Sequence, residues 1–404
     1  MAGCRTDRSS GQTICGRAPV VLVSAVLSAT AALLLPSAVH AEDLKALAAE
    51  TATAADPLRV RPLRPGQPIN GPRWTVSAEA LFLGRSGAGR QPLVSLVPGD
   101  VPWWTPVGPN TTNVAGVEAL NSGQLDQRLA AGQKVGLAYR DPSGVGAELS
   151  YFSVLGLKAV KATGPESPAQ WLVMKAPGTF WQTQDYAYQS MVWRDDTSLH
   201  SIEANARVEL SPRVTLLAGV RWLRLRDRLE GTLEPADLGQ PLWKFRIPSR
   251  LPDAVPVPGS PVVVNPPFWT TETTNNLYGI QIGASASLWE AGRFSLGGSI
   301  KAGVYDNRAR QLTLVSMQKQ IYPAEAATSA AAFVAESGLV AKYRLTEAAS
   351  LKLGYEALWF DGVALGPRQI QQMWTTPNTV SARGVDRRSS TLFQGLTFGL
   401  EYSF

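Results

Sequence analysis

The chain has few of the side chains that carry most enzyme chemistry. Its 404 residues include only two cysteines, Cys4 and Cys15, and two histidines, His40 and His200. Both cysteines lie in a basic leader with Arg5, Arg8 and Arg17, followed by an apolar run from about Ala18 to Leu35 and by Val39-His40-Ala41. That order is the pattern of a secretory signal peptide, with small residues where the peptidase cuts. Residues 1–41 are therefore expected to be removed, which leaves no thiol and one imidazole. Disulfides and thiolate chemistry are excluded on that reading, and no His or Cys cluster remains to hold a metal, so no metal or cofactor is expected.

Long hydrophobic runs are also absent after Ala41, where no stretch approaches the roughly 20 residues of a membrane-spanning helix. Nor is there a large excess of one charge. The formal net charge is +6, from 38 Lys and Arg against 32 Asp and Glu, and the basic residues are dispersed. No nucleic-acid partner is expected.

What is present is alternation. In an extended strand successive side chains face opposite sides, so strict alternation marks a sheet with one apolar and one polar face. From His200 to Leu210, Ile202, Ala204, Ala206, Val208 and Leu210 share one face, while Ser201, Glu203, Asn205, Arg207 and Glu209 share the other. Trp74 to Phe82 and Leu351 to Trp359 repeat the pattern. So do 133–141, 145–154, 214–226, 274–288, 293–306, 332–345 and 391–404. Ten strands are expected.

The connections alternate in length. Asp141-Pro142-Ser143-Gly144, Ser211-Pro212-Arg213, Trp289-Glu290-Ala291-Gly292 and Thr346-Glu347-Ala348-Ala349 are short and carry turn formers or abut strands. Long links are expected over 84–132, 155–197, 227–273, 307–331 and 364–390, the 227–273 link containing a Pro-rich stretch from Pro248 to Pro267. Short turns on one side, long loops on the other and an even strand count describe a membrane barrel, which leaves no unpaired edge in lipid. The expected fold class is all-β: a transmembrane up-and-down antiparallel β-barrel of about ten strands, or twelve if a loop hides another pair. It would occupy 74–404, after a periplasmic extension over 42–73.

Charge follows the same parity. The polar faces carry Glu79, Arg140, Glu148, Glu203, Arg207, Glu209, Arg221, Lys301, Glu336, Lys342, Arg344, Lys352, Glu356 and Glu401, which become the candidate lumen-lining residues. Seven acids against seven bases suggest an internal salt-bridge network, because unpaired charge in a confined lumen is costly. Inward glycines such as Gly279, Gly303 and Gly399 suggest open space instead. Aromatics fall near both strand ends: Trp74, Tyr343, Tyr402 and Phe404 at one, Phe82, Tyr151, Trp222, Tyr278 and Trp359 at the other. Two interfacial girdles are expected from that placement.

The chain closes on Thr397, Gly399, Tyr402 and Phe404, spaced as in the assembly signal of outer-membrane barrels, which the ending resembles. The resemblance implies barrel assembly machinery and outer-membrane lipid as partners, in a Gram-negative-type envelope. The first strand, Trp74-Thr75-Val76-Ser77-Ala78-Glu79-Ala80-Leu81-Phe82, and Asn275-Asn276-Leu277-Tyr278-Gly279-Ile280-Gln281-Ile282-Gly283 leading to Lys301-Ala302-Gly303 look like beta-barrel porin family 7. That resemblance implies a passive channel for small solutes or ions.

Two other functions are weighed against the channel. Asp195, Asp196, His200 and Ser201 cluster at the start of one strand, where an acid, an imidazole and a hydroxyl could make a hydrolytic site. Parity puts His200 opposite Ser201, so the two cannot reach hydrogen-bonding distance, and no catalytic site is expected. The other is a non-conducting structural or surface-binding barrel acting through loops that carry Trp103, Trp104, Trp181, Trp193, Trp243, Trp269 and Trp374.

Overall fold

The protein is represented by a computed structural model that describes residues 73–86, 89–98, 117–125, 127–164, 170–174, 188–235, 268–317, 320–376 and 379–404. The expected signal peptide, the 42–73 extension up to Pro72, the Pro-rich stretch, and Trp103, Trp104, Trp181 and Trp243 lie outside the described residues.

Fifteen strands are numbered along the described chain. They are β1 (Trp74–Arg85), β2 (Pro92–Pro98), β3 (Val117–Asn121), β4 (Gln127–Arg140), β5 (Val145–Thr163), β6 (Gln170–Met174), β7 (Tyr188–Ser211) and β8 (Val214–Pro235), then β9 (Phe268–Ala291), β10 (Phe294–Met317), β11 (Gln320–Arg344), β12 (Ala349–Val363), β13 (Met373–Thr376), β14 (Thr379–Ala382) and β15 (Ser389–Ser403). Ten of them close into one antiparallel ring, in the order β1-β15-β12-β11-β10-β9-β8-β7-β5-β4. The seam is complete: β15 pairs with β1 from Thr75↔Ser403 to Arg85↔Phe393 and with β12 on its other side.

The short turns are set locally. In Asp141-Pro142-Ser143-Gly144 the Asp141 carboxylate accepts from the Ser143 N–H at 2.8 Å, the Ser143 hydroxyl at 2.6 Å and the Val145 N–H at 3.0 Å. Those donors, the hydroxyl first, hold its pKa below the ordinary aspartate value.

Alternation in the sequence becomes two faces of the wall. Val76, Val220, Ile280, Ile282, Val304 and Leu353 point outward and are exposed, while their chain neighbours point into the ring. Between the two levels of outward aromatics, no outward Asp, Glu, Lys or Arg occurs among the described residues. The rings meet one another at both levels: Trp74 with Tyr139 (4.8 Å) and Phe294 with Tyr343 (4.7 Å) at the turn end, Phe333 with Trp359 (5.8 Å) at the other. Tyr278 and Trp289 are eleven positions apart on β9. At the rise of a tilted barrel strand that makes an apolar band about 25–30 Å tall, the height expected of a lipid-facing girdle.

The wall is longer than the sequence pattern suggested. Five strands, β7 and β9 to β11 with 24 or 25 residues and β8 with 22, run well past the upper aromatics. The expected long links over 155–197, 227–273 and 307–331 are therefore partly strand. The last is almost wholly strand, because β10 and β11 pair in unbroken register from Phe294↔Tyr343 to Met317↔Gln320. Above the band the outward face turns polar, so the apolar alternation ends while the hydrogen-bonded ladder continues. The links also contain structure of their own: a three-stranded sheet ordered β3-β2-β6 and the hairpin β13-β14.

Candidate functional site: a filled lumen

The interior is stacked in layers. At the turn end, Arg140 pairs with Glu209 (3.2 Å) and Arg207 with Glu148 (3.4 Å) around a cavity of about 250 Å³ that Arg73, Tyr139 and Ser403 also line. Above it lies a ladder of ions. Lys342 and Lys352 flank Glu401 at 2.6 and 3.7 Å, and Lys352 also reaches Glu79 at 2.6 Å. Lys134 pairs with Glu356. Arg221 bonds Glu336 at 2.7 Å and approaches Glu203 at 3.7 Å, while Lys301 joins both acids. Gln281 donates to Glu203 and to Asn205, each at 2.8 Å, and Arg221 Nε donates to the Ser201 hydroxyl at 2.9 Å. Arg221 and Glu203 are almost fully buried, so their mutual pairing is what makes their ionisation tolerable.

The next layer is apolar. Phe152, Leu199, Leu223, Leu225, Leu277, Phe360 and Phe393 form one buried cluster, with the two phenylalanine rings Phe360 and Phe393 edge to face at 5.5 Å. Over it sits a second ionic knot: Arg85 bonds Asp227 at 2.5 Å and Thr391 at 3.1 Å, with Asp195 at 3.7 Å and Thr197 accepting from Gln127 at 2.8 Å.

The uppermost layer is built by chain folded back into the ring. At the end of β12 the register slips between Asp361 and Val363, and Gly362 takes φ +79, a left-handed conformation that only glycine adopts cheaply. That bend turns Ala364 to Ile370 inward, including the single-turn α1 (Gly366–Gln369). The wall receives its backbone as a strand would. Asn275 donates to the Ala364 carbonyl (2.8 Å) and accepts from its N–H (2.8 Å), Thr273 donates to the same carbonyl (3.0 Å), and Asp227 accepts from the Gly366 N–H (2.7 Å). Gln369 fastens the returning chain through both the carbonyl and the N–H of Asp386. Ile370 and Met373 then complete a second apolar cluster with Trp193, Trp269, Leu229 and Leu93, Val94 and Leu96 of β2.

Each lumen-lining candidate has inward parity, and all but Arg344 enter the ion pairs above. Arg344 is exposed at the turn end. Reading the sequence missed Lys134, although it shares the parity of Arg140, and missed Arg85 and Asp227, which lie beyond the expected strand ends. The expected open space beside inward glycines is taken up by neighbours: a Cβ on Gly279 would lie 2.5 Å from the Tyr305 ring, and one on Gly399 would lie 2.6 Å from the Glu79 side chain. Trp193 and Trp269, expected on exposed loops, are buried strand residues. Trp374 stacks under Arg383, whose guanidinium lies 5.0 Å from its ring.

The acid, imidazole and hydroxyl cluster is divided by the wall. Asp195 and Ser201 face inward and are buried, while Asp196 and His200 face outward, where His200 meets the Tyr151 hydroxyl at 3.2 Å. In the assembly-signal ending, Thr397 and Gly399 face the lumen, and Tyr402 and Phe404 are outward and exposed.

Ten antiparallel strands closed into one ring make a β-barrel that resembles those of outer-membrane proteins. No protein-family model matches the chain, and no curated protein matches it either. Among solved structures, the outer-membrane protease OmpT of Escherichia coli is similar with a TM-score of 0.44 and 13% identity, over 82% of this chain and 97% of that one. The translocator domain of the autotransporter NalP of Neisseria meningitidis gives 0.35 and 8%, over 96% and 100%. A major outer membrane protein of Thermus thermophilus gives 0.31 and 11%, over 83% and 100%.

Proposed function

We propose that the chain is a filled outer-membrane barrel, a membrane-anchored scaffold that acts through its outer rim and does not serve as a passive channel. The observation behind this reading is the succession of ionic, apolar, ionic and apolar layers across the ring. A water-filled pore needs a polar, continuous lumen. Here Leu199, Leu223, Leu277 and Phe360 are fully buried between two ion networks. The passage for small solutes implied by the likeness to beta-barrel porin family 7 would require those layers to separate.

Export behind a cleaved signal peptide and insertion by the barrel assembly machinery follow, on this reading, from the leader and from Thr397, Gly399, Tyr402 and Phe404. The rim elements, β2-β3-β6 and the β13-β14 hairpin, supply the surface for a ligand or partner. Hydrolysis is not part of the proposal, since His200 and Ser201 lie on opposite faces of β7.

Planar-bilayer recording of the purified, refolded protein tests the proposal. The expected record shows no unitary current above that of the bare bilayer at any voltage. Reproducible discrete steps would overturn the filled-lumen reading and restore the channel.

A further inference from the structure

The outer wall changes character at the upper aromatics, on β10 at Asp306, the register partner of Tyr278, and on β8 and β9 one row higher. Trp222 and Tyr278 are register partners on β8 and β9. Two residues further from the turn end, Arg224, Asn276 and Arg308 are partners across β8, β9 and β10. The two arginines flank the asparagine one strand to either side, so their backbones are about 10 Å apart, a gap that two guanidinium arms can close on one oxyanion. On β7 the register partner of Arg224 is His200, and on β11 and β12 the outward positions near this height are Ser329, Ala331 and Asp361, so the two arginines are confined to β8 and β10.

We infer that Arg224, Asn276 and Arg308 form a site for the phosphate of a lipid headgroup at the upper edge of the apolar band. The inference rests on the membrane reading above and goes beyond it by naming a ligand chemistry. Arg308 leans toward the band, its guanidinium 5.4 Å from the centre of the Tyr278 ring. Its ion pair with Asp306 (3.2 Å) is open to water, with side chains 70% and 46% exposed, and exposed pairs of this kind hold little energy against a competing phosphate. Arg224 is exposed and has no carboxylate within ion-pair distance among the described residues. The arginines one step higher are engaged, Arg226 with Glu272 through two bonds of 2.7 and 2.6 Å and Arg310 with Glu325 at 3.0 Å. The site is therefore confined to the row just above Trp222, Tyr278 and Asp306, level with the headgroups of the lipid that the two aromatics would meet. Asn276 adds amide donors between the two cations, and a phosphomonoester, with more charge than a diester, suits the pair best.

The test counts lipid bound to the purified barrel by native mass spectrometry after incubation with phosphatidic acid, with phosphatidylcholine, or with phosphatidic acid plus excess inorganic phosphate. The same preparations are first floated with vesicles. Failure to float would overturn the membrane reading itself, separately from the site. The wild type is expected to retain phosphatidic acid in preference to phosphatidylcholine. Arg224→Gln and Arg308→Gln should each weaken retention about fivefold, the effect of one basic side chain at a lipid surface. Lys158→Gln, which removes an exposed basic residue of β5, should leave retention unchanged and serves as the folded control. Equal retention of both lipids, or a double Arg224→Gln/Arg308→Gln variant that retains phosphatidic acid as the wild type does, would overturn the site. If inorganic phosphate displaces the lipid at equal concentration, the ligand is a free oxyanion and the lipid assignment falls.

Discussion

The Glu79–Lys352 ion pair passes over Gly399. The three residues are register partners on β1, β15 and β12, and the carboxylate and ammonium meet at 2.6 Å across the backbone of the strand between them. A Cβ at 399 would overlap the Ala78 carbonyl oxygen and lie 2.6 Å from both Cα and Cγ of Glu79. The glycine of the expected assembly signal thus has a second role inside the folded wall.

Gly399→Val should destabilise the folded barrel by about 1–3 kcal/mol, the usual cost of overfilling a packed interior. Urea midpoints of refolded protein measure it. A variant combining Gly399→Val with Glu79→Ala should recover part of the loss, and no recovery would show that the two side chains do not compete.

Removing one member of the Arg221–Glu336 pair leaves the other buried with only a longer ion pair, Glu336 with Lys301 at 3.4 Å or Arg221 with Glu203 at 3.7 Å. Glu336→Leu or Arg221→Met alone should cost about 3–5 kcal/mol, whereas the double substitution should lie much closer to wild type. A double-mutant cycle in urea reads the coupling, and additive losses would mean that the pair does not act as a unit.

The folded-back chain depends on Asp227, which accepts from Gly366 while held by Arg85. Asp227→Ala should raise amide exchange across Ala364 to Ile370 while leaving the β10–β11 ladder protected. Unchanged exchange in that segment would remove Asp227 from the role of anchor.

Asp386 gives a pH dependence outside the wall. Burial raises its pKa, but the Arg388 N–H and guanidinium, then Arg368, outweigh it, so the folded value lies below the ordinary aspartate value. A depressed folded pKa stabilises at pH above the unfolded value, and the contribution declines as pH falls below about 4 toward the folded value. Exchange in the 366–388 segment should therefore quicken on acidification through that range. In Asp386→Asn this dependence should be weaker, and an unaltered profile would assign it to another group.

All ten wall strands were legible because their lower halves alternate apolar and polar, as from Ile202 to Leu210. Their upper halves were not. On β8 the outward residues change from Val220 and Trp222 to Arg224, Arg226 and Arg228, so the apolar signal stops although the ladder continues to Pro235. The parity that selected Glu203 and Arg221 finds inward charge but not its company. Nothing in the sequence pairs Lys134 with Glu356, 222 positions away, or brings Ala364 under the amide of Asn275. Filling of the lumen is a long-range outcome of register and of one bend at Gly362, which local pattern does not encode.

The strands that outrun the aromatic band have a mechanical consequence. Ten residues of β9 lie beyond Tyr278, a further height of about 25 Å at the same rise and tilt. With a solid interior behind it, that stretch of wall is a stiff pillar. On the proposed membrane reading it would hold the described rim strands at a fixed standoff from the lipid surface, at an elevation set by backbone ladders.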